Sequence, residues 1–155
     1  MVLLNKMYKV HLNDGHKEVI DLIKGAQKIG REAAKEQLAK LEKAGPRWRL
    51  KDSFTGGPVG TMLDVCGFAW LITPGRGKIV KAFKKLGGQD GRITGHIEYF
   101  LGGIRISKCY STPGYNLELK LTNSQYMSVT EAAVKAVSDF LNKNGIECQW
   151  NSRID

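Results

Sequence analysis

The sequence predicts an α+β protein in which two long helices and one short helix pack on one mostly antiparallel sheet. Two long segments carry apolar residues every three or four positions, which is typical of amphipathic helices. Several shorter segments alternate or run apolar between glycine-rich turns, which is typical of strands. A chain of 155 residues, 42% hydrophobic and 25% charged, suits one globular domain. We expect that single domain to span residues 1–155, and residues 1–46 could form a helical extension at its N-terminus.

The N-terminal third predicts a short strand followed by a long helix. Apolar and polar residues alternate over residues 6–12, as in a strand. The Asn13-Asp14 pair comes next and can cap a helix. From about residue 16 to 44 the apolar residues have helical spacing: Val19, Ile23, Ala26, Ile29, Ala33, Leu38 and Leu41. Gly25 and Gly30 should each weaken this helix by up to about 1 kcal/mol relative to Ala.

The middle of the chain predicts a loop, a buried strand and a short helix. Residues 45–62 begin with Gly-Pro and are rich in glycine, so we expect a loop. Residues 63–73 are apolar at odd and even positions alike, which indicates a strand buried on both faces or in an interface. The turn Pro74-Gly-Arg-Gly77 ends this strand, and the apolar positions of residues 78–86 favour a short helix.

The last third predicts three strands, a helix and a final strand. Alternating apolar residues mark the three strands at 97–101, 104–109 and 116–121. Gly102-Gly103 should join the first two as a hairpin with a primed turn. Ser128-Val-Thr-Glu131 has the pattern of a capping box and would begin a helix that ends near Lys143. Residues 146–150, apolar at every second position, then form the last strand.

The cysteines and histidines show no pattern of a metal or catalytic site. Cys66, Cys109 and Cys148 are odd in number and widely spaced, and no C-x-x-C or H-x-x-x-H occurs. Only the fold could bring Cys66 close to His96. We therefore expect reduced thiols, no metal, no cofactor and a non-enzymatic role in the cytoplasm. No apolar run suits a membrane span, and the N-terminus lacks the pattern of a signal peptide.

Positive charge is concentrated in the middle of the chain. The net charge is +9, from 24 Lys and Arg against 15 Asp and Glu. Residues 76–108 contain eight basic and two acidic residues, a net charge of +6. Arg47, Arg49 and Lys51 form a second basic group. Such clustering predicts an acidic partner, nucleic acid above all.

Three basic groups are candidate contacts for that partner. The glycine N–H groups of the turn at 74–78, with Arg76 and Lys78 at a helix N-terminus, could bind phosphate or carboxylate, although the spacing is not that of a P-loop. Lysines at helical spacing could follow a nucleic-acid backbone, or simply solvate the helix. Trp48 could stack on a base between two arginines, or pack in the core beside Leu50. The candidate residues are Arg47, Trp48, Arg49, Gly75, Arg76, Gly77, Lys78, Lys81, Lys85, Arg105 and Arg153.

Segments in both halves of the chain resemble a known group of proteins. Residues 63–70 read Leu-Asp-Val-Cys-Gly-Phe-Ala-Trp, and a basic glycine–lysine helix follows. A helix around Glu131-Ala-Ala leads to Asn144-Gly-Ile-Glu-Cys and to Ser152-Arg-Ile-Asp155. Over roughly residues 60–86 and 126–155, the chain resembles small proteins encoded by tailed bacteriophages, in which a CGFAW strand and a C-terminal SR-x-D recur.

The resemblance implies a viral origin and a setting in the host cytoplasm. No activity is assigned to that group, so no catalytic residue is transferred. The matching positions are Cys66, Trp70, Lys78, Ser152 and Arg153.

The sequence therefore leads to one principal hypothesis and two alternatives. The principal hypothesis is a basic phage protein that binds DNA, RNA or another polyanion through phosphate contacts. The first alternative is a protein-interaction role, as an inhibitor of a host factor or as a virion component or oligomer that assembles through its sheet. The second is a pocket for a small anion or nucleotide at Gly75–Lys78.

Overall fold

Three helices lie on one face of a six-stranded antiparallel sheet, and a separate two-stranded hairpin precedes that sheet. This computed structural model describes residues 2–86, 89–90, 97–109 and 113–155, with the backbone alone for residues 2–14 and 89–90. The helices are α1 (Val2–Ala44), α2 (Lys78–Lys85) and α3 (Met127–Lys143). The strands are β1 (Trp48–Lys51), β2 (Pro58–Met62), β3 (Gly67–Pro74), β4 (Gln89–Asp90), β5 (Glu98–Leu101), β6 (Ile104–Lys108), β7 (Gly114–Glu118) and β8 (Gln149–Ile154). The predicted α+β class is confirmed.

The large sheet has the strand order β4-β5-β6-β7-β3-β8, and every pairing is antiparallel. Its covered face carries Leu71, Ile106 and Leu117, which are paired across β3, β7 and β6 and are at most 3% exposed. Apolar side chains from all three helices join them in one core. The opposite face keeps Phe68 48% and Phe100 41% exposed. Within the part of the chain that the structure describes, the helices therefore pack on one side of the sheet only.

The predicted strand at residues 6–12 is wrong, because α1 is a continuous helix from Val2 to Ala44. The Asn13-Asp14 pair consequently lies inside the helix and not at its N-terminus. Leu4, Tyr8 and Leu12 are four residues apart, so the apolar residues of this segment fit a helix as well as a strand. Extending an existing helix also avoids the cost of a new nucleus.

The close packing of α1 on α3 explains the two glycines of α1. A Cβ atom on Gly30 would lie 2.7 Å from Val137 Cγ2 and 2.9 Å from Leu121 Cδ2, closer than van der Waals contact allows. A Cβ atom on Gly25 would lie 3.7 Å from the Phe140 ring, an ordinary contact. Gly30 therefore lowers the helix propensity of α1, but it allows α1 and α3 to pack at a short distance.

α1 also binds the segment that leads from β7 to α3. The Gln27 side chain donates a hydrogen bond to the Leu119 carbonyl oxygen at 2.5 Å. The Arg31 Nε donates to the Lys120 carbonyl oxygen at 3.2 Å. Leu119 and Lys120 follow the end of β7, so their carbonyl groups have no partner strand, and these two bonds satisfy them.

The predicted loop at residues 45–62 is wrong for the two short segments that form the β1–β2 hairpin. Trp48 pairs with Met62 and Leu50 with Gly60. The Asp52 carboxylate closes the hairpin end by accepting hydrogen bonds from two backbone N–H groups, those of Phe54 and Thr55. The glycines of this segment are typical of loops, so the sequence pattern did not predict strands of four and five residues. The predicted hairpin at Gly102-Gly103 is confirmed. These two glycines join β5 and β6 with φ values of 57° and 78°, the positive values that a primed turn requires.

The predicted capping box of α3 is also wrong. The helix begins at Met127, so Ser128 is its second residue and does not cap it. The Ser128 N–H donates instead to Asp64 Oδ2 at 2.9 Å, a cap provided from far along the chain. Burial raises the pKa of the Asp64 carboxyl, but hydrogen bonds from Ser128 and Val65 and the charge of Arg47 outweigh it, and the pKa lies below its ordinary value.

Gly30→Ala should lower the free energy of unfolding by about 1 kcal/mol, because the overpacking exceeds the gain in helix propensity. The matched control Gly25→Ala should raise it by up to about 1 kcal/mol, because its Cβ meets only an ordinary contact. Urea unfolding followed by circular dichroism measures both values. Equal stabilisation by the two substitutions would contradict the close approach at Gly30.

Asp64→Ala should lower the free energy of unfolding at neutral pH by about 1 kcal/mol, because α3 loses its cap. The lowered pKa makes this contribution complete above the ordinary carboxyl pKa of 3.8, and it is lost as the pH falls through the folded-state value. The gap between the wild type and the variant should therefore narrow below about pH 4. Urea unfolding at stepped pH tests this, with the exposed Asp139→Ala as control. A gap that does not change with pH would rule out the carboxylate as the cap.

Candidate functional site

α2 presents its lysines on the side opposite its core contacts. Ile79, Val80, Ala82 and Phe83 are buried, at most 1% exposed. Four exposed lysines form what we call the lysine face: Lys78, Lys81, Lys84 and Lys85. Among the described residues, the ion pairs involve other side chains and leave this face uncompensated. A helix fixed by its core side thus holds a dense positive charge in solvent.

Lys78 differs from the other three lysines because it points toward the end of α3. A Cβ atom on Gly145, two residues beyond α3, would lie 3.8 Å from Lys78 Nζ. The carbonyl end of a helix carries partial negative charge and favours a nearby cation. Lys78 therefore lies beside the end of α3, and Lys81, Lys84 and Lys85 are the lysines whose charges point outward.

The glycines of the β3–α2 turn do not offer their N–H groups to an anion. The Gly75 N–H donates to the Pro113 carbonyl oxygen at 3.3 Å, and the Gly77 N–H donates to the Pro74 carbonyl oxygen at 2.9 Å. Cβ atoms at these positions would lie 2.9 and 3.0 Å from the same two oxygens. Close backbone packing thus explains both glycines, and the predicted anion cradle is wrong for their N–H groups. Arg76 is exposed between them.

The basic triplet at residues 47–49 lies on the exposed hairpin. Trp48 is 50% exposed and Leu50 41%, so neither plugs the core and that alternative is wrong. Because side chains alternate along a strand, Trp48 faces away from Arg49, and the two arginines do not flank it on one surface. Phe54, which the sequence reasoning missed, is 97% exposed at the hairpin end.

Arg105 and Arg153 lie on the same face of the sheet but differ in their partners. The Arg105 guanidinium donates to Glu118 at 2.7 Å and to Glu98 at 3.3 Å. The hydrogen bond with Glu118 is the main cause that raises the pKa of Arg105. Its charge is therefore neutralised within the sheet, which counts against the predicted phosphate contact. Arg153 is exposed instead, with its guanidinium 5.5 Å from the centroid of the Phe68 ring.

The uncovered side of the sheet, which we call the open face, mixes aromatic and polar side chains. Register places Phe68 beside Arg153, Trp70 beside Asn151, and Phe100 beside Arg105. Its members are Phe68, Trp70, Ile72, Glu98, Phe100, Arg105, Ser107, Asn116, Glu118, Gln149, Asn151 and Arg153. β3 is thus covered on one face only, which corrects the prediction of burial on both faces.

The sequence reasoning missed Phe100 as an open-face residue. The signal was available in residues 98–101, because Tyr99 and Leu101 alternate with Glu98 and Phe100. Nothing in that alternation says which of the two sets meets the helices.

The two segments that carry the phage resemblance are neighbours in the sheet. Ala69 pairs with Ser152 and Gly67 with Ile154. The Asp155 N–H also donates to the Cys66 carbonyl oxygen at 3.1 Å. Residues that are far apart in the sequence therefore build one edge of the open face.

The cysteines are free, and the described part of the chain contains no group of three potential metal ligands. Burial raises the pKa of the Cys148 thiol to about 12, which keeps it protonated. His96, named as a distant partner for Cys66, and the basic Arg92 lie outside the described residues. Within the described ranges, no helix has the length and apolar character needed to cross a membrane.

Comparisons with family models, with curated proteins and with solved structures gave no match. The proposed function therefore rests on the geometry of the site and the chemistry of its residues.

Proposed function

We propose that this chain is a non-enzymatic nucleic-acid-binding protein that contacts phosphates through the lysine face of α2. The observation that carries this proposal is the charge of Lys81, Lys84 and Lys85 on one short helix, which no acidic side chain among the described residues compensates. Lysines placed in this way bind phosphates and release condensed counterions. Such contacts position a protein on nucleic acid without reading its sequence.

The rigidity of α2 supports the proposal. Ile79 and Phe83 are fully buried, and they hold the helix against the core on the side opposite the lysines. Lys81 and Lys85 are one helical turn apart, so their Cβ atoms lie about 5–6 Å from each other. The charges are therefore displayed at a fixed spacing with little backbone entropy to lose on binding.

One further basic residue, Arg76, extends the proposed surface, whereas the basic residues of the hairpin form a separate group. Arg76 lies in the turn just before α2, and Arg47, Arg49 and the exposed Trp48 lie on the hairpin. Arg105 has no part in it, because two carboxylates neutralise this side chain. A separate pocket for a small anion or nucleotide at Gly75–Lys78 is not favoured, because the glycine N–H groups are already bonded.

The biological setting is part of the same proposal. The resemblance at the β3 and β8 segments supports a phage-encoded protein that acts in the host cytoplasm. The net charge of +9 suits an acidic partner there, either DNA or RNA.

Lys81→Glu/Lys85→Glu should abolish binding to random-sequence single strands and duplexes while the protein still folds. Both contacts are lost, so the slope of log K against log salt should also become shallower for any residual binding, by about 0.9 per contact on a duplex. Fluorescence anisotropy at low and physiological salt measures this, and circular dichroism checks folding.

The matched control is Lys35→Glu/Lys40→Glu, which makes the same change in net charge on the exposed side of α1. This control should weaken binding far less than the substitutions in α2. Equal losses would reduce the effect to net charge, and unchanged affinity of the α2 variant would refute the proposal.

A further inference from the structure

We infer that nucleic acid binds as a single strand across the open face, with bases stacked on Phe68, Trp70 and Phe100. The inference rests on the proposed function and adds the form of the nucleic acid and the surface that meets its bases. Aromatic side chains exposed on antiparallel sheets bind unpaired bases by stacking. Phe68 and Phe100 are 48% and 41% exposed, and Trp70 is half-buried between Phe68 and Ile72.

The spacing of the aromatic side chains favours a single strand over a duplex. Phe68 and Trp70 are two residues apart on one side of β3, about 6.6 Å along the strand. That is about twice the 3.4 Å between stacked bases in a duplex. Each ring can therefore receive one base only if the bases are unstacked from each other. Phe100 lies three strands away, at about 14 Å, and would meet a more distant nucleotide.

The charges of the open face suit the same occupant. Arg153 is exposed above Phe68 and has no acidic partner among the described residues. It can therefore contact a phosphate while a base stacks on the part of the Phe68 ring that the guanidinium does not cover. Arg105 binds both the Glu98 and Glu118 carboxylates, so this group keeps one net negative charge and repels a polyanion less than two free carboxylates would.

Side-chain amides complete the surface. Asn116, Gln149 and Asn151 lie on the open face beside the aromatic residues. An amide both donates and accepts hydrogen bonds, so it can meet the edges of any base. Amides therefore add contacts to bases without imposing one sequence.

A second copy of the chain fits the open face less well. The centre of a stable interface between proteins is depleted of charged residues, whereas Arg105 and its two carboxylates lie in the middle of this sheet. Phe68, Trp70 and Ile72 form one apolar row along β3, but Glu118 and Arg105 separate this row from Phe100. A net charge of +9 on each copy also opposes self-association and favours a polyanion.

The open face and the lysine face lie on opposite sides of the sheet, and the turn between β3 and α2 connects the elements that carry them. β3 ends at Pro74, which shares the open-face side of the strand with Ile72, and the exposed Arg76 follows before α2 begins. To reach Lys81, a single strand that leaves the open face must pass around this end of the sheet, where Arg76 is exposed. The two surfaces would then bind one nucleic acid, with bases on the sheet and phosphates on α2.

The test compares fluorescein-labelled oligothymidylate, its duplex with oligoadenylate, and heparin, which has no bases. Trp70→Ala and Phe100→Ala should each weaken binding to the single strand about 5- to 150-fold, the value of one stacked base. Heparin binding should not change. Trp70→Phe should recover most of the loss, and Phe54→Ala, which removes an exposed aromatic ring outside the sheet, should bind as the wild type does.

Phe100→Ala keeps the inference testable if Trp70→Ala fails to fold, because Phe100 is on a different strand and is more exposed than the half-buried Trp70. Folding is checked by circular dichroism, and self-association by sedimentation at low and high salt. A salt-independent dimer that Phe100→Ala dissociates would overturn the inference in favour of an interface between copies.

The outcomes separate this inference from the proposed function. If both aromatic variants bind oligothymidylate as the wild type does, while Lys81→Glu/Lys85→Glu loses it, the inference fails and the proposed function stands. If the aromatic variants lose the single strand and the lysine variant does not, the inference stands and the assignment to α2 fails. If the wild type binds none of the three probes, both fail.

Discussion

The packing of α1 on α3 is the contact on which the rest of the structure depends. Gly30 brings the two helices so close that Val137 and Leu121 fill the space of a side chain. α1 also holds the chain between β7 and α3 through hydrogen bonds to Leu119 and Lys120. Because α3 lies over β3 and β8, this contact fixes the whole helical layer on one face of the sheet.

A layer of helices on one side leaves the other side of the sheet for function. Antiparallel sheets tolerate such exposure when the outer side chains are polar. Here Phe68, Trp70 and Phe100 interrupt the polar residues, and burial of the covered face does not require them. These exposed aromatic rings are the basis of the proposed contact with single-stranded nucleic acid.

The positive charge of the chain has two different roles. Within the sheet, Arg105 is matched by Glu98 and Glu118, and its charge stabilises the strand pairing. On α2, Lys81, Lys84 and Lys85 face solvent with no acidic partner among the described residues. The total charge of the chain cannot distinguish these roles, because the distinction depends on which carboxylates the fold brings near each base.

The sequence by itself determined the α+β class, the helical faces of α2 and α3, the β5–β6 hairpin and the basic middle of the chain. Each follows from local periodicity, turn chemistry or composition, which act over a few residues. Only the tertiary structure decided that Asp64 caps α3, that Gly75 packs against Pro113 and that Arg105 is neutralised. It also decided that Phe68 and Phe100 share an uncovered face, because alternation separates the two sides of a strand but does not say which side meets the helices.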